Sequence, residues 1–328
     1  MSARTLKVGT RSWKLKEPFV ISRGSQDTCE VAVVEIAADG KTGRGEAVGV
    51  PYRGETPATL VREIEQVRKA IEAGADRLDL LDLLPAGGAR NALDGALWDL
   101  EAKRSGVRAW ERAGLPAGNS ITTAITIGIR SLAAYETAAR ALADHPWIKI
   151  KVDQKEPVAA VRAVRHAAPK SKLVVDANQA WSVAELKQYA PVMAELNVDL
   201  LEQPVKVGLD AGLEGYRSPV PVCADESVNT VDDLAQLTGR YQFINIKLDK
   251  TGGLTEALTL ARAAQKAGLR LMSGCMVGGS VAMAPAMILG QLCEVNDLDG
   301  PMLQAEDWED GIVYTRGVMQ PPWPRFWG

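Results

Sequence analysis

The feature that most limits the fold of this chain is an alternation that begins near Ser120. From there, short apolar runs of strand length alternate with alanine-rich stretches that have helical character. The runs are residues 121–127, 147–152, 173–175, 198–201, 220–224, 243–248, 269–272 and 291–298, and helical stretches include 132–142, 157–167, 183–196 and 254–267. Connections of this length join parallel strands. Eight such runs predict an α/β fold with a (β/α)8-type barrel, and a doubly wound open sheet is the alternative.

The first part of the chain has a different pattern. Residues 5–15 and 29–38 alternate as strands do, with a polar loop between them, and Asp39-Gly40 predicts a hairpin into residues 42–48. Helical spacing follows in residues 57–72 and 89–103. We therefore expect an α+β unit over residues 1–115 and the barrel over 116–300. Residues 301–328 contain no further βα unit and are expected to return to the first unit.

Composition excludes several classes of protein. With 38 basic and 41 acidic residues, the formal charge of −3 does not fit nucleic-acid binding. The four cysteines lie far apart without a CxxC pair, which argues against a disulfide framework or a zinc site and fits a reducing compartment. Neither a signal peptide nor a membrane-length apolar run is evident, so we expect a cytoplasmic protein that binds no membrane.

Acidic residues close three successive predicted strands. Asp176, Glu202 and Asp225 each follow an apolar run, about one βα unit apart. In a parallel barrel these positions meet at the same end, where catalytic residues lie. Carboxylates that converge repel each other unless a cation lies between them, and oxygen ligands alone select Mg²⁺ or Mn²⁺ over zinc. Any one of these acids, taken singly, is equally typical of a helix N-cap or a solvated loop.

Lysines on two other predicted strands strengthen this interpretation. The two-residue period of a strand places Lys149 and Lys151 on one face, and Asn245 and Lys247 on one face of a later strand. The intervening isoleucines suit the helix-covered exterior, so we expect the lysines to point inward, where burial would lower their pKa toward that of a base. The second and sixth strands of an eight-strand ring stand opposite each other. Lys151 and Lys247 are thus predicted to approach one carbon from two faces, unless these are edge strands with solvated lysines.

The ordered set of motifs resembles a known family. The motifs are Lys149-Ile-Lys151, Val175-Asp176-Ala-Asn178-Gln179, Glu202-Gln203-Pro204, Ala224-Asp225-Glu226-Ser227 and Asn245-Ile-Lys247. Together they resemble the enolase superfamily, in particular the muconate-lactonizing subgroup and its L-Ala-D/L-Glu dipeptide epimerases. The resemblance spans essentially the whole chain. It implies a modified barrel with an N-terminal capping domain, Mg²⁺ as the cofactor and Asp176, Glu202 and Asp225 as its ligands.

The same resemblance implies the roles of the lysines and of several substrate-binding residues. Lys151 and Lys247 would be the acid/base pair, with Lys149 as an auxiliary that lowers its neighbour's pKa and contacts the substrate carboxylate. Asp297 and Asp299 resemble the Asp-x-Asp motif that holds a dipeptide's ammonium group, although an acidic turn before Gly300 would have the same sequence. A final set has a predicted place in the pocket, with solvated or core roles as alternatives: Arg23 for a distal carboxylate, Thr123, Cys275 and Met276.

These features predict a Mg²⁺-dependent isomerase that epimerises a small-molecule dipeptide by 1,1-proton transfer at the α-carbon of its C-terminal residue. The expected substrate is L-Ala-D/L-Glu from murein peptides, and whether the chain forms a homo-oligomer is left open. The alternatives are a cycloisomerase, an o-succinylbenzoate synthase, an N-acylamino acid racemase or a non-catalytic barrel. Asp297 and Asp299 discriminate among the enzymes, because the alternative substrates have no free ammonium group.

Overall fold

The computed structural model describes residues 4–22, 24–116 and 118–328. Its strands are β1 (Thr5–Ile21), β2 (Gly24–Ala38), β3 (Lys41–Ala47), β4 (Ile121–Thr122), β5 (Ile125–Ile127), β6 (Trp147–Lys151), β7 (Lys172–Asp176), β8 (Leu200–Glu202), β9 (Val222–Ala224), β10 (Phe243–Lys247), β11 (Arg270–Gly274), β12 (Val295–Asp297), β13 (Tyr314–Thr315) and β14 (Val318–Met319). Its helices are α1 (Pro57–Ala73), α2 (Leu80–Leu83), α3 (Gly88–Ser105), α4 (Ala109–Arg112), α5 (Leu132–Ala141), α6 (Pro157–Ala167), α7 (Val183–Glu195), α8 (Leu234–Leu237), α9 (Leu248–Thr251), α10 (Leu254–Lys266), α11 (Ser280–Gly290) and α12 (Gly300–Leu303). Short 3₁₀ turns lie at Pro51–Arg53, Asp210–Leu213 and Val231–Asp233.

An antiparallel sheet in the order β1-β2-β3 and the helices α1–α4 form the N-terminal unit. The β1–β2 ladder runs from Thr5 opposite Ala37 to Ile21 opposite Gly24, with one irregularity between Lys14 and Phe19. The expectation of a polar loop between residues 15 and 29 is therefore wrong. Most side chains of this stretch are exposed, so polar residues do not interrupt the backbone ladder.

Helix α1 begins and ends where its sequence indicates. Thr56 forms a capping box with Thr59, Pro57 occupies the first turn, and Gly74 ends the helix in the left-handed conformation at φ 113°. The buried side chains recur every three or four residues (Leu60, Ile64, Val67 and Ile71) and pack into the core beneath the sheet.

Helix α3 lies directly on strand β3. A Cβ atom at Gly43 would collide with the backbone oxygen of Ala96, and one at Gly45 with that of Ala92. These two glycines therefore allow a strand and a helix to pack backbone against backbone.

The second sheet has eight parallel strands in the order β12-β11-β10-β9-β8-β7-β6-β5, which confirms the predicted (β/α)8-type barrel. Two runs were predicted too long. Residues 121–127 divide into β4, which pairs with β14, and β5, which belongs to the barrel. Residues 291–294 form the turn after the uniformly buried helix α11, and the strand begins only at Val295.

The barrel has one seam, between β5 and β12. No strand pairing joins these two strands in the part of the chain that the structure describes. Individual hydrogen bonds bridge the gap instead. Ala124 N donates to Asn296 O at 2.7 Å, and Thr126 N on β5 donates to the Asp299 carboxylate at 2.7 Å.

Side chains fill the barrel interior in layers. The lower layer is apolar and consists of Val174, Leu200, Cys223, Phe243, Met272 and Val295. Two residues further along five of these six chain segments, the inward position is polar or charged, because strand side chains alternate between faces; the sixth position, on β11, is Gly274. The barrel mouth thus combines buried acids and lysines above an apolar floor.

The last residues return to the N-terminal unit. Gly328 N donates to the Asp99 carboxylate on α3 at 2.7 Å, and Trp327 Nε1 donates to Arg44 O at 3.0 Å. None of the helices in the described ranges combines the length and the apolar character that crossing a bilayer requires.

Three buried carboxylates join the N-terminal unit to the barrel; we call them the interface carboxylates. Glu46 accepts from Gly279 N at 2.6 Å and from two tryptophan indoles, Asp94 accepts from Thr255 N at 3.2 Å, and Asp249 accepts from Gly49 N at 2.7 Å. Burial raises the pKa of Glu46 and of Asp249 to about 7 and that of Asp94 to about 6.

Candidate active site

Lys149 lies at the centre of the barrel mouth. It is 1% exposed, and its Nζ lies 2.7 Å from Asp297, 2.7 Å from Glu202 and 3.1 Å from Asp176. Burial alone would lower its pKa, but the three surrounding carboxylates raise the pKa of Lys149 well above the usual value. Lys149 is therefore a fixed positive charge.

Lys151 and Lys247 end strands β6 and β10, which stand opposite each other with three strands between them on either side. Lys151 Nζ lies 2.6 Å from Asp176, and Lys247 Nζ lies 2.7 Å from Asp225. Burial acts to lower the pKa of Lys247, but the ion pair with Asp225 outweighs it and the pKa is raised. The expected lowering of the pKa by burial is thus wrong for Lys247 in this conformation, since a carboxylate neutralises its charge.

Both lysines line one cavity of about 480 Å³ between the barrel mouth and the N-terminal unit. The remaining lining residues come from β1 and β2, from the loop after β3, and from the ends of β7 and β11: Phe19, Ile21, Gly24, Ser25, Gln26, Val48, Pro51, Tyr52, Asn178, Cys275, Met276 and Val277. The cavity is large enough for a molecule the size of a dipeptide. Its walls are mostly apolar, and two ammonium groups face it from opposite strands.

The three predicted metal ligands are buried at the ends of adjacent strands. Asp176 and Glu202 are fully buried, and Asp225 is 1% exposed. Burial would raise the pKa of Asp176 and Asp225, but the neighbouring lysines lower both overall. Glu202 differs: burial and the nearby Asp176 charge raise its pKa to about 7. The lysines therefore offset the repulsion among the three acids unevenly. They favour the ionised forms of Asp176 and Asp225, whereas Glu202 remains harder to ionise.

The side chains that are present fit a hard divalent cation by their chemistry, although they are not arranged around one. In the described part of the chain, no group of three or more His, Cys, Asp or Glu side chains has the geometry of a metal site. Lysine ammonium groups lie between the acids instead. Glu202 Oε2 lies 2.7 Å from Lys149 Nζ yet receives no aligned hydrogen bond, which leaves a buried anionic oxygen without a directed partner. A cation would supply that partner once the long lysine side chains turn away.

Asp297 and Asp299 lie together at the seam of the barrel. Asp297 accepts from Lys149 Nζ at 2.7 Å and from Thr126 Oγ1 at 3.2 Å, whereas Asp299 accepts from Thr126 N at 2.7 Å. Burial and the adjacent Asp297 charge raise the pKa of Asp299 to about 7. Asp297 is thus paired with Lys149, whereas Asp299 is harder to ionise, and neither aspartate is among the residues that line the cavity.

The other predicted substrate-binding residues are placed as follows. Cys275 and Met276 line the cavity. Thr123 is fully buried, its Oγ1 accepts from Leu298 N at 2.8 Å, and it is not among the cavity-lining residues. Arg23 lies outside the described residues. The substrate-binding roles of these residues stay predictions.

Sequence reasoning missed Lys250. It lies in the short helix α9, is 1% exposed, and its Nζ donates to Asp225 Oδ1 at 2.6 Å and to Asn245 O at 3.1 Å. A helical turn there places the third residue after Lys247 back over the same strand end, and this spacing is the signal that would have found it.

Comparison with protein families agrees with this architecture. Residues 3–114 match the family described as mandelate racemase / muconate lactonizing enzyme, N-terminal domain, and residues 133–322 match the family described as enolase C-terminal domain-like. Two similar proteins have assigned activities. The L-Ala-D/L-Glu epimerase of Escherichia coli K12 is 42% identical, and the match covers 96% of this chain and 99% of the epimerase. The N-acetyl-D-glutamate racemase of a Pseudoalteromonas species is also 42% identical, and the match covers 90% of this chain and 95% of the racemase.

Solved structures agree as well. An enolase family member from Agrobacterium tumefaciens with homology to dipeptide epimerases, determined with sodium and L-Ala-L-Glu, has a TM-score of 0.96 and 42% identity and covers 99% of this chain and 100% of its own. The dipeptide epimerase of Enterococcus faecalis V583, in complex with Mg and L-Leu-L-Tyr, has a TM-score of 0.91 and 28% identity. The match covers 98% of this chain and 97% of the epimerase. With both of its parts matched and its strand-end lysines and acids in place, the chain belongs to the mandelate racemase/muconate lactonizing enzyme group of the enolase superfamily.

Proposed function

We propose that the protein is a Mg²⁺-dependent dipeptide epimerase that inverts the α-carbon of the C-terminal residue. One observation carries this proposal: Lys151 and Lys247 face one cavity from opposite strands. Inversion needs a base on one side of the carbon and an acid on the other, and this pair provides both.

Asp176, Glu202 and Asp225 are the residues that would hold the metal. A divalent cation there would supply positive charge beside the substrate carboxylate and so lower the cost of removing the neighbouring α-proton. All three acids are buried, so water does not screen their charge from a bound cation.

The lysines carry the proton transfer. A neutral amine on one side takes the α-proton and becomes an ammonium group, while the ammonium group on the other side gives its proton to the opposite face of the carbon and becomes neutral. Both lysines are paired with carboxylates in this structure, at 2.6 Å and 2.7 Å. Because an ammonium group paired with a carboxylate has no lone pair to offer, Lys151 or Lys247 must leave its partner before it acts as a base. Lys149 would stay charged between them, as its carboxylate partners favour, and would contact the substrate carboxylate.

The substrate we propose is L-Ala-D/L-Glu derived from murein, acted on in the cytoplasm. The Escherichia coli relative is named for this dipeptide, and the four free thiols of the chain suit a reducing compartment. Asp297 and Asp299 would bind the ammonium group, and Arg23 the distal carboxylate. Thr123, directly after β4, would act with them.

We also propose the division into a capping domain over residues 1–115, a barrel over 116–300 and a returning segment over 301–328. The two family matches, residues 3–114 and 133–322, support the first boundary. The bonds from Trp327 and Gly328 to Arg44 and Asp99 support the return of the last segment.

Racemisation of an N-acylglutamate is the second candidate, and a specific contact favours it. Asp297 already has a cationic partner, Lys149 Nζ at 2.7 Å, so it needs no ammonium group from a substrate. The Pseudoalteromonas relative, named as an N-acetyl-D-glutamate racemase, is as similar in sequence as the epimerase is.

Incubation in D₂O with L-Ala-L-Glu or N-acetyl-L-glutamate, with Mg²⁺ or with EDTA, separates these functions. We expect deuterium at the glutamate α-carbon of the dipeptide, only when Mg²⁺ is present. Faster exchange in N-acetylglutamate would favour the racemase, and inversion without uptake of deuterium would rule out the two-lysine reaction. Asp297→Asn should weaken dipeptide binding by about 1.5–3 kcal/mol, the range for a hydrogen bond to a charged group. Unchanged affinity would remove the assigned role of Asp297.

A further inference from the structure

A loop of the N-terminal unit, residues 48–54, covers one side of the cavity; we call it the roof loop. Val48, Pro51 and Tyr52 contribute lining side chains, opposite the barrel lysines. The loop follows β3 and leads into α1. Because the roof loop belongs to one unit and the lysines to the other, a contact between the units must fix its position over the reacting carbon.

Asp249 makes such a contact. It lies two residues after Lys247, at the start of α9, and is 6% exposed. Its Oδ1 accepts a hydrogen bond from Gly49 N at 2.7 Å. Gly49 adopts φ 83°, which few other residues tolerate, and this turn directs its N–H group to the acid.

A second carboxylate fixes the shape of the loop but not its place over the barrel. Glu55 Oε2 accepts from Val50 N at 2.8 Å and from Gly88 N at 3.0 Å, and all of these residues belong to the N-terminal unit. Asp249, by contrast, ties the start of the same loop to the strand end that carries Lys247.

We propose that Asp249 is a positioning residue that holds the roof loop in register with Lys247, so that the substrate is clamped while Lys247 faces its α-carbon. The inference rests on the proposed epimerase reaction. Asp249 does not line the cavity, and so it acts on the substrate through Val48, Pro51 and Tyr52. Its loss should weaken binding more than proton transfer, because the lysines stay on the barrel.

Asp249→Asn tests this inference, with Asp94→Asn as a matched control. Asp94 is also a buried carboxylate that bonds a backbone N–H across the two units, at Thr255, but it is not among the cavity-lining residues. We expect Asp249→Asn to raise KM for L-Ala-L-Glu about tenfold and to change kcat by less than about threefold. Asp94→Asn should leave both KM and kcat within about twofold of the wild-type values. Equal KM values in the two variants, or a loss confined to kcat in Asp249→Asn, would overturn the role assigned to Asp249.

Proteolysis gives a readout that does not depend on activity. Arg53 lies exposed in the roof loop, and trypsin should cut after it faster in Asp249→Asn than in the wild-type protein or in Asp94→Asn. Unchanged cleavage would count against the inference. A wild-type protein without α-proton exchange on any dipeptide would refute the proposed function, and cleavage at Arg53 would still decide the role of Asp249.

Two further measurements cover a variant that fails to fold. Hydrogen exchange of the Gly49 amide in the wild-type protein should be slow, because the buried Asp249 carboxylate holds it, and rapid exchange would overturn the proposal. Tyr52→Ala, a change at a partly exposed side chain, should raise KM in a way that is not additive with Asp249→Asn. Full additivity would mean that Asp249 does not act through the roof loop.

Discussion

Buried carboxylates occur in two regions of this molecule, and their partners differ. The interface carboxylates Glu46, Asp94 and Asp249 accept bonds from backbone amides, and burial raises the pKa of all three. At the barrel mouth, Asp176 and Asp225 face lysine ammonium groups, which lower their pKa. Backbone amides are fixed dipoles, whereas lysines are charges on flexible stems that can exchange partners. The first arrangement suits a permanent joint, and the second suits a site that must admit a cation and release a base.

The largest expected effect tests the mouth of the barrel. Lys151→Ala and Lys247→Ala should each reduce epimerisation by about 10³-fold or more, in line with the contribution of general acid–base groups, while the fold stays intact by circular dichroism. Each variant should still exchange the α-proton of one stereoisomer in D₂O, because one lysine remains on one face. If either variant exchanges both isomers, the two lysines do not have opposite roles.

Lys149→Met tests the charge balance without turnover. It leaves Asp176, Glu202 and Asp297 buried without their shared cation, so the metal-free protein should lose about 3–5 kcal/mol of unfolding free energy. Mg²⁺ should restore part of this loss, because a cation replaces the missing charge. Urea unfolding with EDTA and with Mg²⁺ measures both. A stability loss that Mg²⁺ does not reduce would contradict the metal-binding role of these acids.

Asp94→Asn tests the joint between the units. Loss of a carboxylate that accepts from Thr255 N should lower the unfolding free energy by about 1–3 kcal/mol and leave Mg²⁺ affinity unchanged. Glu202→Gln is the counterpart at the barrel mouth and should weaken Mg²⁺ binding in calorimetry. Weaker Mg²⁺ binding in Asp94→Asn would remove the distinction between the two regions.

The smallest expected effect is a pH dependence of stability. The pKa is about 7 for Glu46 and Asp249 and about 6 for Asp94, above the ordinary values near 4 in the unfolded chain. Between these values the folded state binds protons that the unfolded state does not, so stability falls as pH rises. Urea unfolding in EDTA should show that the unfolding free energy falls from pH ~5 to pH ~8, and that it falls less in Asp94→Asn. An increase over this range would contradict the raised pKa values of the interface carboxylates.

Local pattern was sufficient to predict much of the fold and the orientation of the lysines. The two-residue period of β6 placed Lys149 and Lys151 inward, and both are buried among carboxylates in the structure. The acids after β7, β8 and β9 are likewise buried at the strand ends. These positions depend on neighbours along the chain, and the sequence contains that information directly.

Features that depend on distant partners were not predictable in the same way. The raised pKa of Lys247 depends on Asp225 on another strand, and the burial of Lys250 depends on a helical turn that looked like a loop. The bond from Thr126 N to Asp299 closes a seam between the first and last barrel strands, which no spacing along the chain reveals. The continuation of the β1–β2 ladder between residues 15 and 29 was missed because its residues are mostly exposed and lack the apolar alternation of a buried strand.

The contact between β3 and α3 has a consequence for how such a molecule can diversify. At Gly43 and Gly45 the strand and the helix touch through their backbones, so any side chain there would push the helix away. A substitution at either position would therefore displace the helix, whereas the loops at the edge of the same sheet can change length and chemistry without moving it. New pockets can therefore arise through changes in the loops, while the packed pair of β3 and α3 beneath them keeps its shape.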